Sequence, residues 1–153
     1  YANKPTSRLV NNDIKPDQSV PQFNESISHI AWAPTIPNVF ACTTWDGDLR
    51  IIEVIQNQFG KFLQQKFSTK MSQPALKCTW NDQSSQLFIG LIDGTVKAID
   101  INTQQTADLF KHTSAISSLH FIPTMNTLIC SGYDSLIKCY QVGNSSPSLT
   151  IDA

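Results

Sequence analysis

Short stretches of alternating apolar and polar residues run along most of the chain, and one six-residue pattern occurs three times. Each copy is apolar at its first, fourth and sixth positions: Ile27–Trp32, Ala75–Trp80 and Ile116–Phe121. An aspartate follows each copy at nearly the same distance: Asp46, Asp93 and Asp134. Because an internal repeat decides how the rest of a chain is interpreted, this register is the first constraint on the fold.

Each of these aspartates lies between two apolar stretches, as a hairpin turn does. Asp46 and Asp93 are followed by glycine, and Asp-Gly between two such stretches is a strong hairpin signal because glycine accepts positive φ. The aspartates are 47 and then 41 residues apart, the period of a four-stranded propeller blade. The sequence therefore predicts an all-β fold, a β-propeller with about three blades.

The repeat gives a specific arrangement of strands and blades. The predicted strands are 27–32, 39–45, 49–54, 61–67, 75–80, 87–92, 95–101, 106–110, 115–121, 127–132, 136–142 and 148–151. The corresponding blades are 26–72, 73–112 and 113–153, after an extended tail or closing strand at 1–25. Three blades cannot close a ring and would leave open sheet faces. We therefore expect them to be about three of the blades of a closed ring of seven. A start at Tyr1 rather than methionine agrees with an excerpt of a longer chain.

Composition and charge exclude several classes of function. With 11 basic and 12 acidic residues, the chain cannot hold nucleic acid or an anionic membrane by net charge alone. The four cysteines form no CxxC pair, so small buried thiols are expected rather than zinc ligands or disulfides. We find no phosphate loop, no metal-binding motif and no paired carboxylates. The prediction is a non-enzymatic protein without cofactor, metal, small-molecule substrate or membrane insertion.

The repeat resembles that of WD-repeat proteins, in which a buried polar network pins each blade. The third blade matches this network best, with His112, Ser131, Asp134 and Tyr140 at its four places. A His-Asp-Ser set could be mistaken for a catalytic triad, but the resemblance implies a structural role. The first two blades depart from the pattern, since Ile52 and Ile99 replace the signature tryptophan and neither blade has the histidine.

Within the WD-repeat proteins, the chain resembles the RNA-export nucleoporins of the Rae/Gle type. The likeness rests on SISHIAWAPTIPNVFACTTWDGDLRIIEV at Ser26–Val54 and on SGYDSLIKCYQV at Ser131–Val142. It implies a propeller that binds a segment of a phenylalanine-glycine-rich nucleoporin, supports export of messenger ribonucleoprotein and contacts single-stranded RNA. It also implies a nuclear protein at the nuclear envelope and pore that shuttles to the cytoplasm. The alternatives are the sister family of mitotic checkpoint adaptors at kinetochores, or another WD-repeat scaffold.

The repeat also suggests where a partner would bind. Large side chains precede the turn aspartates, and basic side chains follow four positions after the aspartates: Trp45, Ile92 and Tyr133, then Arg50, Lys97 and Lys138. Aromatic and basic residues dominate binding energy when a partner covers them. The alternative is that Trp45 and Tyr133 only pack between blades.

Overall fold

The computed structural model describes residues 20–152, and these residues form three antiparallel four-stranded sheets. The first sheet contains β1 (Ile27–Trp32), β2 (Val39–Thr44), β3 (Asp48–Asn57) and β4 (Gly60–Lys70). The second contains β5 (Ala75–Trp80), β6 (Gln86–Leu91), β7 (Thr95–Asp100) and β8 (Thr106–Lys111). The third contains β9 (Ile116–Ile122), β10 (Thr127–Gly132), β11 (Leu136–Gln141) and β12 (Leu149–Asp152). The only helical segment in the described range is a 3-10 turn at Pro123–Met125.

Each sheet is a simple meander in which consecutive strands pair, as in a propeller blade. The predicted all-β fold with three four-stranded sheets is confirmed, and β1, β5 and β9 begin at the apolar residues Ile27, Ala75 and Ile116. The sequence underestimated the length of the β3–β4 hairpin in the first blade, because β3 continues to Asn57 and β4 continues to Lys70. The predicted tail falls mostly outside the described residues, which include only its last part from Val20 onward.

Two apolar cores hold the blades together, and both lie between sheets. The first joins the first two blades and includes Ala41, Leu49, Ile51, Cys78, Trp80, Leu87 and Ile89. The second joins the second and third blades and includes Phe88, Val96, Phe110, Leu119, Leu128, Cys130 and Tyr140. Because side chains alternate across a strand, each middle strand of the second blade contributes residues to both cores.

Equivalent positions in the repeat show that one face of the first blade is open. The apolar positions of β5 are buried against the first blade, with Ala75 at 0%, Cys78 at 1% and Trp80 at 4% exposure. The same positions of β1 are exposed: Ile27 at 46%, Ile30 at 52% and Trp32 at 60%. These three residues therefore face away from the second blade, and we call them the open face of the first blade.

The β2–β3, β6–β7 and β10–β11 turns have the same backbone form. Gly47 and Gly94 have φ of 85° and 89°, and Ser135 takes the corresponding place in the third blade with φ of 64°. A side chain at Gly94 would place its Cβ 2.3 Å from the carbonyl oxygen of His112. This turn therefore requires glycine both for its backbone angles and for the closeness of the next chain segment.

Candidate functional site

The three turns that carry the repeat aspartates lie on one surface with the connections between blades. The Met71 amide donates to the Gly47 carbonyl at 2.7 Å, and the His112 amide donates to the Gly94 carbonyl at 2.8 Å. We call this surface the turn face. It consists of the turns 45–47, 92–94 and 133–135 together with the connections 71–74 and 112–115. Backbone hydrogen bonds between these segments make it a fixed platform.

A row of large side chains stands on the turn face, one at each turn. Trp45 is 47% exposed, Ile92 is 38% exposed and Tyr133 is 75% exposed. The backbone amides of all three donate to carbonyls of neighbouring segments: those of Ser26, Pro74 and Ala115, respectively. These side chains are thus partly free for a partner while their backbones are held in place. The structure places them outside the two interblade cores.

In the third blade, a polar network lies beneath this row. His112 is buried, with 1% exposure, and its Nε2 lies 3.1 Å from Oδ1 of Asp134. The hydroxyl of Thr113 also donates to Asp134, and the Leu136 amide donates to it at 3.2 Å. On the other side of the ring, Nδ1 of His112 lies 3.5 Å from Sγ of Cys130. His112 therefore bridges Asp134 and Cys130 through its two ring nitrogens.

The hydrogen-bond donors in this network act on the carboxyl group of Asp134. The hydroxyl of Thr113 and the ring of His112 both stabilise the charged carboxylate of Asp134, which places the pKa of Asp134 well below its usual value. Gly132 makes room for the network, since a Cβ there would lie 2.2 Å from the Ser114 hydroxyl and 2.6 Å from the His112 ring. Sequence reasoning missed Thr113, Cys130 and Gly132. The available signal was that Thr113 follows His112 directly and that Cys130 and Gly132, two residues apart in β10, share one side of the sheet.

Two residues of the proposed network lie elsewhere. Ser131 follows Cys130 in β10 and therefore points to the opposite side of the sheet, where its hydroxyl is 2.9 Å from that of Ser117. Tyr140 lies in the core between blades, with its ring stacked 3.5 Å from that of Phe110. Burial raises the pKa of Tyr140 above its usual value. The expectation that Ser131 and Tyr140 share a network with His112 needs this correction.

The turn aspartates of the other two blades use lysine and threonine in place of histidine. Asp46 accepts from Nζ of Lys70 at 2.6 Å and from the Thr44 hydroxyl, and these bonds lower the pKa of Asp46 to about 2. Asp93 accepts from the Thr95 amide at 2.9 Å, with Nζ of Lys111 at 3.8 Å. The different partners explain how these blades form the same turn without the histidine.

The prediction that Arg50 contacts a partner at the surface is wrong. Arg50 is only 6% exposed because its guanidinium binds Asp48 at 2.8 Å and donates to the carbonyls of Pro21 and Gln22. The guanidinium also lies 4.0 Å above the ring of Phe23. Arg50 thus fastens the 20–26 segment to the first blade. Its position two residues after Asp48, on the same side of β3, was a signal for such an internal pair.

The other predicted cations differ in their availability. Lys97 pairs with Asp108 at 2.5 Å and its side chain is 22% exposed, whereas Lys138 is partly exposed on β11. Lys70 and Lys111 are more exposed, at 57% and 66% of their side chains, and both stand at the turn face. They end β4 and β8, directly opposite the residue that lies two places after each turn aspartate. Hairpin register could have identified them.

We find no group of three metal-binding side chains within residues 20–152. In that same range, no helix has the length and hydrophobicity needed to cross a membrane. Burial raises the pKa of the Cys42 thiol to about 11, and the pKa values of Cys78 and Cys130 to about 12. These thiols are protonated near neutral pH and serve as small apolar residues.

Comparison with known proteins identifies the repeat and its relatives. The family model described as "WD domain, G-beta repeat" matches residues 103–141. The "Poly(A)+ RNA export protein" of Schizosaccharomyces pombe is 29% identical over 145 residues, which is 91% of this chain and 40% of that protein. "Protein Rae1" of Drosophila melanogaster is 26% identical over 84% of this chain and 38% of that protein. The chain thus spans about two-fifths of the length of these relatives.

A checkpoint protein and solved structures also match. The "Spindle assembly checkpoint protein bub3" of S. pombe is 26% identical over 80% of this chain and 37% of that protein. The structure titled "Structure of U3-55K" matches with a TM-score of 0.72 at 15% identity, over 86% of this chain and 41% of that one. The C-terminal WD40 domain of Sif2 matches with a TM-score of 0.70 at 12% identity, over 84% and 37% of the two chains. At such low identity, the two structures support the fold alone.

Proposed function

We propose that this WD-repeat protein is a non-enzymatic docking platform that binds a segment of a phenylalanine-glycine-rich nucleoporin and supports export of messenger ribonucleoprotein. The chain carries a WD40 repeat and is built of WD-type blades. Its curated relatives include proteins named for RNA export, from fission yeast and from vertebrates. Under this proposal it acts in the nucleus and at the nuclear pore, and shuttles to the cytoplasm.

The observation that carries the proposal is the row of Trp45, Ile92 and Tyr133 on the turn face. Two of the three are aromatic, and each has a fixed backbone and a side chain between 38% and 75% exposed. Fixed aromatic side chains lose little conformational freedom when a partner covers them, which suits them as binding anchors. A peptide with its own aromatic side chains, such as a phenylalanine-rich nucleoporin segment, complements such a row.

Charge on the turn face supports a modest RNA contact as part of this role. Lys70 and Lys111 expose more than half of their side chains beside Trp45 and Ile92. Each is paired with a turn aspartate, so the local charge is nearly balanced. We therefore propose that single-stranded RNA binds through base stacking on Trp45 and Tyr133 together with these lysines, and that nucleoporin contacts supply most of the affinity.

A second candidate function has specific support from the comparisons. Checkpoint proteins named bub3 and bub-3 match this chain at 26% and 30% identity. The same turn face would then bind a checkpoint partner at kinetochores. Localisation separates the two functions: a tagged chain that concentrates at the nuclear envelope in interphase supports the export role, and a chain found only at mitotic kinetochores supports the checkpoint role.

Chemical cross-linking tests whether the turn face is the docking surface. The whole chain is mixed with a purified segment of a phenylalanine-glycine-rich nucleoporin, and cross-linked residues are identified by mass spectrometry. We expect cross-links from Lys70 and Lys111 on the turn face and few from Lys61, which lies near the tip of the β3–β4 hairpin. Cross-links concentrated at Lys61, or no complex at all, would reject the proposal.

A further inference from the structure

The β3–β4 hairpin of the first blade extends beyond its own sheet. β2 pairs with β3 only as far as the Val39–Glu53 pair, but β3 and β4 continue to pair up to Asn57 and Gly60. Residues 54–63 thus form a two-stranded projection, which we call the ribbon. The corresponding stretches of the other blades, 101–105 and 142–148, are loops without paired strands. The ribbon is therefore a feature of this blade and not of the repeat.

Apolar side chains occur on both sides of the ribbon and at its tip. Val54 lies opposite Leu63, and Ile55 lies opposite Phe62 on the other side. Leu63 is 41% exposed and Phe59, at the tip, is 71% exposed. The Phe59 amide donates to the Asn57 side-chain oxygen at 2.8 Å, which fixes the tip. A two-stranded ribbon gains stability when a further strand covers such side chains.

The ribbon shares its outer strand, β4, with a long sheet edge whose own charged residues are all lysines. β4 is the last strand of its sheet and has 11 residues, whereas the outer strands β8 and β12 have 6 and 4. Three lysines and no acidic residue lie on β4: Lys61, Lys66 and Lys70. Lys66 pairs with Glu53 at 3.1 Å and Lys70 pairs with Asp46 at 2.6 Å, and each keeps half or more of its side chain exposed. Among the described residues, no carboxylate lies within ion-pair distance of Lys61.

We propose that the outer edge of β4 binds an extended acidic peptide with apolar side chains, which pairs with β4 as a fifth strand. An edge strand offers unpaired backbone groups to such a peptide, and apolar contacts at Leu63 and Phe59 add to the backbone hydrogen bonds. The lysines select the partner, because like charges oppose pairing between two β4 edges whereas opposite charges favour an acidic strand. This site meets the turn face only at Lys70, the last residue of β4.

Hydrogen exchange with a defined peptide tests this site. The probe is a fluorescein-labelled peptide of about nine alternating Glu and Val residues, long enough to follow most of β4. Added to the whole chain, it is expected to slow amide exchange in 60–70 and to leave β8 unchanged. A peptide with Lys in place of Glu, and one with proline at alternate positions, should not bind. Slowed exchange in another strand only, or equal binding of the Lys peptide, would overturn the proposal.

Two charge-reversal variants sharpen the test. Lys61→Glu should weaken probe binding by about fivefold or more, measured by fluorescence anisotropy. Lys111→Glu is the matched control at the end of β8 and should leave the affinity unchanged, as should Trp45→Ala on the turn face. Circular dichroism verifies that each variant is folded. Equal affinity for the wild type and Lys61→Glu would contradict the proposal, whereas an unchanged Trp45→Ala separates it from the proposed nucleoporin function.

Discussion

At the residue scale, buried polar groups and turn aspartates determine how the blades are held. His112 connects Asp134 and Cys130 across the third blade while almost fully removed from solvent. A buried polar group of this kind stabilises the fold only while its hydrogen-bond partners are present. A buried partner left without a hydrogen bond destabilises the fold, because it has lost its contacts with water and gained none in return. This burial between two partners favours a structural role for the His112–Asp134 pair.

Substitution of His112 should therefore affect stability. His112→Ala is expected to lower the free energy of unfolding by about 1–3 kcal/mol, because it leaves buried partners unsatisfied. Urea unfolding followed by tryptophan fluorescence measures the change. His120→Ala, at an exposed position of β9, is the matched control and should have little effect. An unchanged midpoint for His112→Ala would rule out the structural role.

Acid should weaken the turn of the first blade over a defined pH range. The pKa of Asp46 is about 2 in the folded chain, below its ordinary value of 3.8. Its contribution is therefore fully present above about pH 4 and is lost as the pH falls toward 2. Asp46→Asn should flatten the loss of stability over this range, and Asp82→Asn, at an exposed loop aspartate, should not. Identical acid unfolding profiles for the wild type and Asp46→Asn would contradict this assignment.

At the element scale, the sequence predicted the strands correctly where the repeat is regular. The prediction failed where contacts between separate segments determine the structure. The triple register located β1, β5 and β9, because each starts with an apolar residue at a fixed distance from its turn aspartate. The ribbon was missed because residues 55–60 carry no repeat signal, and only pairing between β3 and β4 extends the two strands into this stretch. Arg50 was misplaced because its partners in the 20–26 segment are remote in sequence.

Site prediction shows the same division. Trp45 and Tyr133 could be located in the turns because each directly precedes a turn aspartate, and the hairpin sets the position of that residue. Ser131 was assigned to the wrong side of β10, because the motif was matched by sequence order rather than by the alternation of side chains. The roles of the residues on the turn face remain predictions that binding experiments must decide.

Two glycines allow a test of the turn geometry. Gly94 has φ of 89° and a Cβ there would meet the His112 carbonyl, whereas Gly143 has φ of 102° with open space around it. Gly143→Ala should cost about 1 kcal/mol of stability from backbone strain alone, and Gly94→Ala about 3 kcal/mol because it also displaces the His112 connection. Chemical unfolding measures both. Equal costs would show that the close approach at Gly94 is unimportant.

At the scale of the whole molecule, the three blades bury two interfaces and leave the open face of the first blade uncovered within the described residues. Ile27, Ile30 and Trp32 repeat positions that are buried in the second blade and buried or partly buried in the third. An apolar sheet face of this kind drives association in water. The turn face and this open face are distinct, since one is formed by turns and the other by a strand.

Self-association of residues 1–153 is the expected consequence of the open face. Sedimentation velocity should show oligomers of the isolated chain that shift toward monomer in the variant Ile30→Asp, Trp32→Lys. Phe59→Ser is the matched control, since it removes an exposed aromatic side chain from the ribbon and should leave the oligomers unchanged. A monodisperse wild-type monomer that unfolds cooperatively would show that three blades suffice without further contacts.

The central claim, that the turn face is a docking surface, is tested most directly by calorimetric titration of a nucleoporin segment into the wild type and Trp45→Ala. We expect the variant to bind more weakly by about 2 kcal/mol, or about thirtyfold, because Trp45 is a partly exposed anchor. Its thermal midpoint should stay close to that of the wild type, and Phe59→Ala should bind normally. An unchanged affinity of Trp45→Ala, or a matching loss of its folding stability, would contradict the account.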